Sequence, residues 1–151
     1  MIRRQRVVVD TNVLVSRVLV EQSRPGQAVR EAENRARLLA SEETLEEFRS
    51  VLLRPKFDRY AGRTLRKEFF DRYLRIVEII AIPSPIVACR DPKDDKFLSL
   101  AFFGEADHLI SGDADLLALN PFRGIKILQP ADYLAGHVVI DSPARRVEDK
   151  S

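Results

Sequence analysis

Short apolar runs are spaced along the chain in a way that predicts the strands of a parallel sheet. The runs 7–9, 38–40 and 125–128 have the length and apolar character of buried strands. A fourth run is 109–110, and the β-branched run 76–82 predicts a strand that directly follows a helix. We therefore expect five strands in one sheet.

Segments with helical spacing of apolar residues separate these runs. Ser41 is a natural N-cap, and the apolar residues behind it recur at helical intervals up to Pro55. The same spacing predicts further helices at 27–37, 65–77, 94–103 and 114–119. Strands that alternate with helices are joined by right-handed crossovers, which place helices on both faces of a parallel sheet. The predicted fold class is therefore α/β.

The length and composition fit one folded domain. A chain of 151 residues has the size of a single domain, and 45% hydrophobic with 32% charged residues is ordinary for a folded protein. We expect this domain to cover residues 1–140 and the polar segment 141–151 to be a flexible tail. The net charge of only +2 excludes a protein that coats nucleic acid through charge alone. A nucleic-acid site would have to be local.

The cysteine content predicts a reducing compartment, and the apolar segments predict no membrane association. Cys89 is the single cysteine, which excludes an intramolecular disulfide and a multi-cysteine zinc site. After its arginines the N-terminus has only three apolar residues before Asp10, far fewer than a signal peptide needs. No apolar run approaches the roughly 20 residues of a transmembrane helix. We expect a cytoplasmic protein with no membrane association.

Acidic residues stand where the predicted strands end. Asp10 follows the first strand directly, and Asp113 follows the strand at 109–110 after two further residues. Because parallel strands end at the same edge of the sheet, we expect these two carboxylates to lie close together. Asp94 opens a helix whose apolar face packs on the sheet, so we expect it to point inward. The alternative for each of these acids is a helix cap alone.

A group of carboxylates at one sheet edge predicts a metal site. Glu46 and Glu47, on the helix after Ser41, are candidates for a further acid, and helical spacing does not separate them. Neighbouring carboxylates repel one another unless a cation lies among them. Oxygen ligands without histidine or cysteine suit Mg²⁺ or Mn²⁺ rather than zinc. Such ions assist attack on a phosphodiester, so hydrolysis of a nucleic acid follows as a hypothesis.

The segment 54–75 has the composition of a nucleic-acid contact. It holds eight basic and three acidic residues, with five Phe and Tyr residues interleaved. Basic side chains bind phosphates, and aromatic rings stack on the bases of a single strand. The alternative is a solvated helix face whose aromatic residues belong to the core. The candidates for RNA contacts are Arg54, Lys56, Arg59, Arg63, Arg66 and Lys67.

Four motifs in this order resemble those of the PIN domain family, and more narrowly those of the single-domain PIN ribonuclease toxins of prokaryotic toxin–antitoxin systems. They are Asp-Thr-Asn-Val at 10–13, Leu-Glu-Glu-Phe at 45–48, Asp-Pro-Lys-Asp-Asp-Lys-Phe-Leu-Ser-Leu-Ala at 91–101 and Ser-Gly-Asp-Ala-Asp-Leu-Leu at 111–117. The resemblance covers about residues 6–135. It implies a three-layer α/β/α fold around a mostly parallel sheet. It also implies a Mg²⁺- or Mn²⁺-dependent endoribonuclease that cleaves single-stranded or structured RNA.

The resemblance assigns four acids as catalytic residues and metal ligands, which in chain order are Asp10, Glu47, Asp94 and Asp113. Glu46 remains an alternative to Glu47, and Asp95 an alternative to Asp94, because a shift of one residue still fits each motif. The family's Thr-Gly-Asp is Ser-Gly-Asp here, which keeps the hydroxyl. The groups expected to support these acids from beside them are Asn12, Ser111, Asp115 and Asp95.

The same resemblance implies partners. Toxins of this kind form homodimers, and their antitoxins insert a segment that blocks the acidic site. We therefore expect an RNA substrate, a cognate antitoxin protein and a homodimer. The competing hypothesis is a noncatalytic module that keeps the PIN fold and binds RNA or a partner protein. The presence of all four acids favours the enzyme.

Overall fold

One or more helices separate each strand from the next through residues 4–141. This is the part of the chain that the computed structural model describes, and side chains are described to residue 136. The strands are β1 Arg6–Val9, β2 Arg37–Ala40, β3 Glu78–Ile79, β4 His108–Ile110 and β5 Lys126–Leu128. The α-helices are α1 Thr11–Leu19, α2 Arg24–Arg35, α3 Glu42–Leu52, α4 Arg63–Ile76, α5 Asp95–Phe103, α6 Ala114–Leu117 and α7 Pro130–Asp141. Single turns of 3-10 helix lie at Pro55–Phe57 and Pro92–Asp94.

The strands form one sheet in the order β3-β2-β1-β4-β5, and each neighbouring pair is parallel. Val9 pairs with Ile110, and Ile110 pairs with Leu128, so β1, β4 and β5 end at the same level. The residues that follow these strands therefore share one edge of the sheet, which we call the C-terminal edge.

Alternate residues of β1, β2 and β4 enter two separate cores, as the pleat of strands buried on both faces requires. Val7 and Val9 pack in one core with apolar residues of α1, α2, α3, α4 and α7. Val8 and Leu109 pack in the other core with residues of α5 and α6. The arrangement is a three-layer α/β/α fold, which confirms the predicted fold class.

The predicted N-cap at Ser41 fixes the start of α3. The backbone N–H of Thr44 donates to Ser41 Oγ at 3.2 Å, and the backbone N–H of Ser41 donates to Thr44 Oγ1 at 2.9 Å. This reciprocal pair satisfies two N–H groups that the first helical turn leaves unpaired. Its position one residue after β2 starts the helix at the C-terminal edge, so an acid early in α3 can reach that edge.

The structure shortens one predicted strand and adds two helices that the sequence did not predict. α1 was missed because 10–12 favour a turn, yet the valines behind them are buried and the segment is helical. The strand predicted in 76–82 is shorter: Ile76 ends α4, and only Glu78–Ile79 pair with β2. α7 was also missed. Of the predicted tail, Asp141 ends α7, and 142–151 lie outside the described residues.

Between residues 4 and 141, no helix has both the length and the apolar character that crossing a bilayer requires.

Candidate active site

Asp10 lies directly after β1 and is tied to the end of β4. Its backbone N–H donates to the carbonyl of Ile110 at 3.0 Å, continuing the ladder between the two strands. Ser111, fully buried, donates its hydroxyl hydrogen bond to Asp10 Oδ2 at 2.6 Å. The Ser111 Oγ in turn accepts from the backbone N–H of Asp113 at 2.9 Å. One hydroxyl therefore fixes both the Asp10 carboxylate and the turn that carries Asp113.

Three further carboxylates gather beside Asp10. Asp94 ends the 3-10 turn before α5, while Asp113 caps α6 and Asp115 lies in the first turn of that helix. One carboxylate oxygen from each lies within 4.8 Å of the others. Asp113 Oδ1 accepts hydrogen bonds from the backbone N–H groups of Asp115 and Leu116, at 2.8 and 3.1 Å. Asp113 thus has both of the functions considered from the sequence: it is a helix cap and a member of the acidic group.

The pKa values of Asp10 and Asp94 are raised by burial and by the neighbouring acids. Burial raises the pKa of Asp10 above its ordinary value, and the charges of Glu47 and Asp113 raise it further, against the lowering effect of Ser111. Burial raises the pKa of Asp94 to about 6, with Asp113 as the next largest cause and Asp10 after it. Mutual repulsion of this kind is relieved by a bound cation.

Glu47, rather than Glu46, faces the acidic group. Glu46 is exposed, whereas Glu47 is 32% exposed and contributes to the raised pKa of Asp10. Glu47 Oε1 also accepts a salt bridge from Lys96 Nζ at 2.6 Å. The structure therefore distinguishes two neighbours that the sequence pattern left equivalent.

Asp95 differs from Asp94 although the two are adjacent. Asp95 is buried, and its Oδ1 accepts hydrogen bonds from the backbone N–H groups of Ala88 and Cys89 at 3.1 and 2.6 Å. These bonds fasten the segment before Asp91 to the start of α5. Asp95 therefore holds a loop in place, while Asp94 joins the acidic group.

A cleft of about 500 Å³ adjoins the acids on the side of α1. Asp10, Asn12 and Asp113 line it, together with Ser16 and Gly112. Asn12 is exposed on the cleft wall, so its amide is available to a molecule that enters there. The cleft gives the acidic group an open approach from solvent.

The donor set fits a hard divalent cation. Carboxylate oxygens dominate it, and the three that approach within 4.8 Å of one another, from Asp94, Asp113 and Asp115, could share one ion. Asp10 lies beside them, held by Ser111. Asp115, which the sequence assigned a supporting position, is therefore placed among the potential direct ligands.

The basic segment 54–67 divides into exposed residues and one buried arginine. Arg66 is fully buried: its guanidinium donates to the carbonyls of Leu52, Arg54 and Ala61 and pairs with Asp58. The prediction that Arg66 contacts RNA is corrected, because its donors are used inside the protein to fix the turn after α3. The remaining candidates are exposed, namely Arg54, Lys56, Arg59, Arg63 and Lys67.

Two neighbours of the acids were not found from the sequence. Lys96 follows the motif acids directly, but no spacing rule separates a site lysine from a solvated one. Cys89 Sγ lies 3.9 Å from Asp94 Oδ2, and burial raises the pKa of this thiol, which keeps it protonated. Its position depends on the loop that Asp95 fastens, which no local pattern encodes.

Comparison with known proteins gives the class of this fold and then its family. Residues 6–115 match the PIN domain, and the chain belongs to the PIN domain family. The uncharacterised protein MJ1680 of Methanocaldococcus jannaschii is 30% identical over 123 residues, which are 76% of this chain and 75% of that protein. The crystal structure of VapBC2 from Rickettsia felis bound to a DNA fragment from their promoter is similar in fold, with a TM-score of 0.54 and 13% identity. That match covers 83% of this chain and 98% of the other.

Proposed function

We propose that this chain is a metal-dependent endoribonuclease that hydrolyses phosphodiester bonds of single-stranded or structured RNA. The observation that carries the proposal is the approach of Asp94, Asp113 and Asp115 to within 4.8 Å of one another, beside Asp10, in a chain of the PIN domain family. Acids that only capped helices would have no reason to converge. Capping predicts local contacts along each helix and not a shared group at one sheet edge.

The acids have separate parts in this proposal. Asp94, Asp113 and Asp115 would hold Mg²⁺ or Mn²⁺, and Asp10, oriented by Ser111, would complete the site. When bound, the ion supplies positive charge to the phosphate and activates the attacking water. Glu47 has one oxygen engaged by Lys96, and we assign its other oxygen, Oε2, as the acceptor that orients the attacking water.

The RNA would approach through the cleft beside Asn12, with the exposed basic residues as phosphate contacts. Loss of a phosphate contact weakens binding whatever the sequence, so these residues would set affinity rather than the cleavage position. They are Arg54, Lys56, Arg59, Arg63 and Lys67.

The test is cleavage of a mixed pool of single-stranded RNA by purified protein in Mg²⁺, Mn²⁺ or EDTA. Wild type is compared with Asp10→Asn and with Asp71→Asn, which makes the same change at an exposed position on α4. We expect cleavage that requires the metal, falls by about 100-fold or more in Asp10→Asn and is unchanged in Asp71→Asn. RNA binding without cleavage in any metal would instead establish the noncatalytic module.

We also propose that the nuclease is the toxin of a toxin–antitoxin pair, active in the cytoplasm as a homodimer and inhibited by a cognate antitoxin. The similarity in fold to a chain of VapBC2 supports this proposal. Induced expression should arrest growth in wild type but not in Asp10→Asn, and co-expression of the protein encoded beside it should relieve the arrest. Sedimentation of the purified chain measures the dimer. Growth that continues under wild-type expression would contradict the toxin role while leaving the nuclease untouched.

A further inference from the structure

Among the side chains that the structure describes, Lys96 is the basic residue that forms an ion pair with one of the proposed catalytic acids. Its Nζ lies 2.6 Å from Glu47 Oε1, and the lysine side chain is only 13% exposed. Within residues 4–136, no other basic side chain forms an ion pair with Asp10, Glu47, Asp94 or Asp113. Among the described side chains, Lys96 is thus the basic residue whose charge is paired within this set of acids.

Contacts hold the lysine in this position. Nζ donates a second hydrogen bond to the carbonyl of Lys93 at 2.6 Å, and it lies 5.6 Å from the centre of the Phe97 ring. A solvated lysine samples many rotamers, whereas this one has two polar partners and a buried stem. The ammonium is therefore a fixed part of the C-terminal edge.

Glu47 lies apart from the compact acidic group. The carboxylates that approach one another within 4.8 Å belong to Asp94, Asp113 and Asp115 and do not include Glu47. Two-ion sites place their cations about 3.5–4 Å apart and share carboxylates between them. Here Asp94, Asp113 and Asp115 could share one ion with Asp10 beside them, and the remaining acid, Glu47, is already paired with an ammonium.

We propose that Lys96 is a positioning residue that provides the second positive charge of the site, so that the chain takes one divalent ion and Lys96 holds Glu47 in place. The inference rests on the proposed metal-dependent function and deepens it. The contact with Lys96 fixes Glu47 Oε1, and because a carboxylate is rigid it also sets the position of Oε2. A second ion beside Glu47 would have to displace the ammonium.

The proposal predicts that metal affinity and cleavage change in opposite directions when the charge is removed. Lys96→Met keeps the length and apolar stem of the side chain but removes the ammonium that pairs with Glu47. Mn²⁺ should then bind roughly fivefold to tenfold more tightly, because removing a nearby positive charge favours a cation. Cleavage should nevertheless fall, because Glu47 loses its fixed orientation. A lysine that only stabilised the fold would cause both quantities to fall together.

The experiment is a calorimetric titration of each purified variant with Mn²⁺ alone, followed by single-turnover cleavage of RNA. The variants are wild type, Lys96→Met, Lys96→Arg and Lys126→Met. Lys96→Arg restores the charge and should return affinity and cleavage toward wild type. Lys126→Met makes the same chemical change at the first residue of β5, at the opposite edge of the sheet, and controls for net charge.

We expect one Mn²⁺ per chain in wild type, tighter binding with a stoichiometry approaching two in Lys96→Met, and wild-type binding in Lys126→Met. Two ions in wild type, or unchanged or weaker binding in Lys96→Met, would overturn the assignment while the nuclease stands. If wild type and all variants bind no Mn²⁺, the metal-dependent function itself fails, which is a separate result.

Discussion

The two charged regions of this protein differ in how their side chains are placed. At the C-terminal edge, Asp10 and Asp113 converge because the strands before them, β1 and β4, are parallel and end at one level. The 3-10 turn before α5 brings Asp94 to the same group. In the basic region 54–67, the charged residues follow one another along a turn and a helix, but they differ in burial. Arg66 is buried, while Arg63 and Lys67 on the same helix are exposed. Strand ends thus give a more reliable guide to a shared site than composition does.

The largest effect on cleavage is expected from Asp113→Asn, which separates the capping function of Asp113 from its place in the acidic group. Asparagine retains the oxygen that accepts the N–H groups of Asp115 and Leu116, and it is itself a good N-cap. Asp113→Asn should therefore lower RNA cleavage by about 100-fold to 1,000-fold with little change in melting temperature. Asp113→Ala removes both functions and should lower the melting temperature as well. Equal cleavage by Asp113→Asn and wild type would reduce this residue to a cap.

A second change tests whether Arg66 is structural. Arg66→Met leaves three backbone carbonyls and Asp58 without their buried partner, so the free energy of unfolding should fall by about 3 kcal/mol. Urea denaturation measures the loss. Lys67→Met, the neighbouring exposed position, should change stability by less than about 0.5 kcal/mol. If Arg66→Met were as stable as Lys67→Met but bound RNA less well, the original sequence prediction would be restored.

The raised pKa of Asp94 predicts a cost in stability that depends on pH. The native state holds this proton more tightly than the unfolded chain between pH 3.8 and about 6. The ionised carboxylate therefore destabilises the metal-free protein fully above about pH 6 and not below pH 3.8. In EDTA, Asp94→Asn should be more stable than wild type by about 1–2 kcal/mol at pH 7, and the difference should vanish near pH 4.

Denaturation of both proteins across this pH range checks the direction of the effect. Asp71→Asn, which changes an exposed acid on α4, should show no such trend. A stabilisation by Asp94→Asn that is the same at pH 4 and pH 7 would mean that charge repulsion is not its cause.

The smallest expected effects belong to the exposed basic residues. Lys67→Met should weaken binding of single-stranded RNA by about twofold to threefold and reduce its dependence on salt, because one phosphate contact is lost. Fluorescence anisotropy in the Asp10→Asn background measures binding without cleavage. Lys126→Met is the matched control at the far edge of the sheet. Identical binding by both variants would exclude Lys67 from the RNA interface.

The sequence allowed most of the sheet and the acidic edge to be predicted, for a physical reason. Buried strands such as 7–9 are marked by their own apolar residues, and the parallel order places Asp10 near the end of β4 whatever the loops do. The helix α1 was not predicted, because residues 10–12 favour a turn and the valines that follow have low helix propensity, although they are buried in the structure.

Differences between adjacent residues were the part that sequence could not settle. Helical spacing does not distinguish Glu46 from Glu47. The packing of α3 near α5 exposes Glu46 and directs Glu47 toward Lys96. Asp94 and Asp95 differ in environment because the backbone N–H groups of the loop 88–89 donate hydrogen bonds to Asp95 and not to Asp94. These outcomes depend on contacts between segments far apart in sequence.

That pair of aspartates gives the most direct test of the central claim, which is that the acids gathered at the C-terminal edge carry the chemistry. The measurement is single-turnover cleavage of single-stranded RNA in Mg²⁺ by Asp94→Asn and Asp95→Asn. Asparagine at 95 can still accept from the loop N–H groups, so we expect cleavage within about threefold of wild type there and a loss of about 100-fold or more at 94. Equal losses at both positions, or a larger loss at Asp95, would contradict the account.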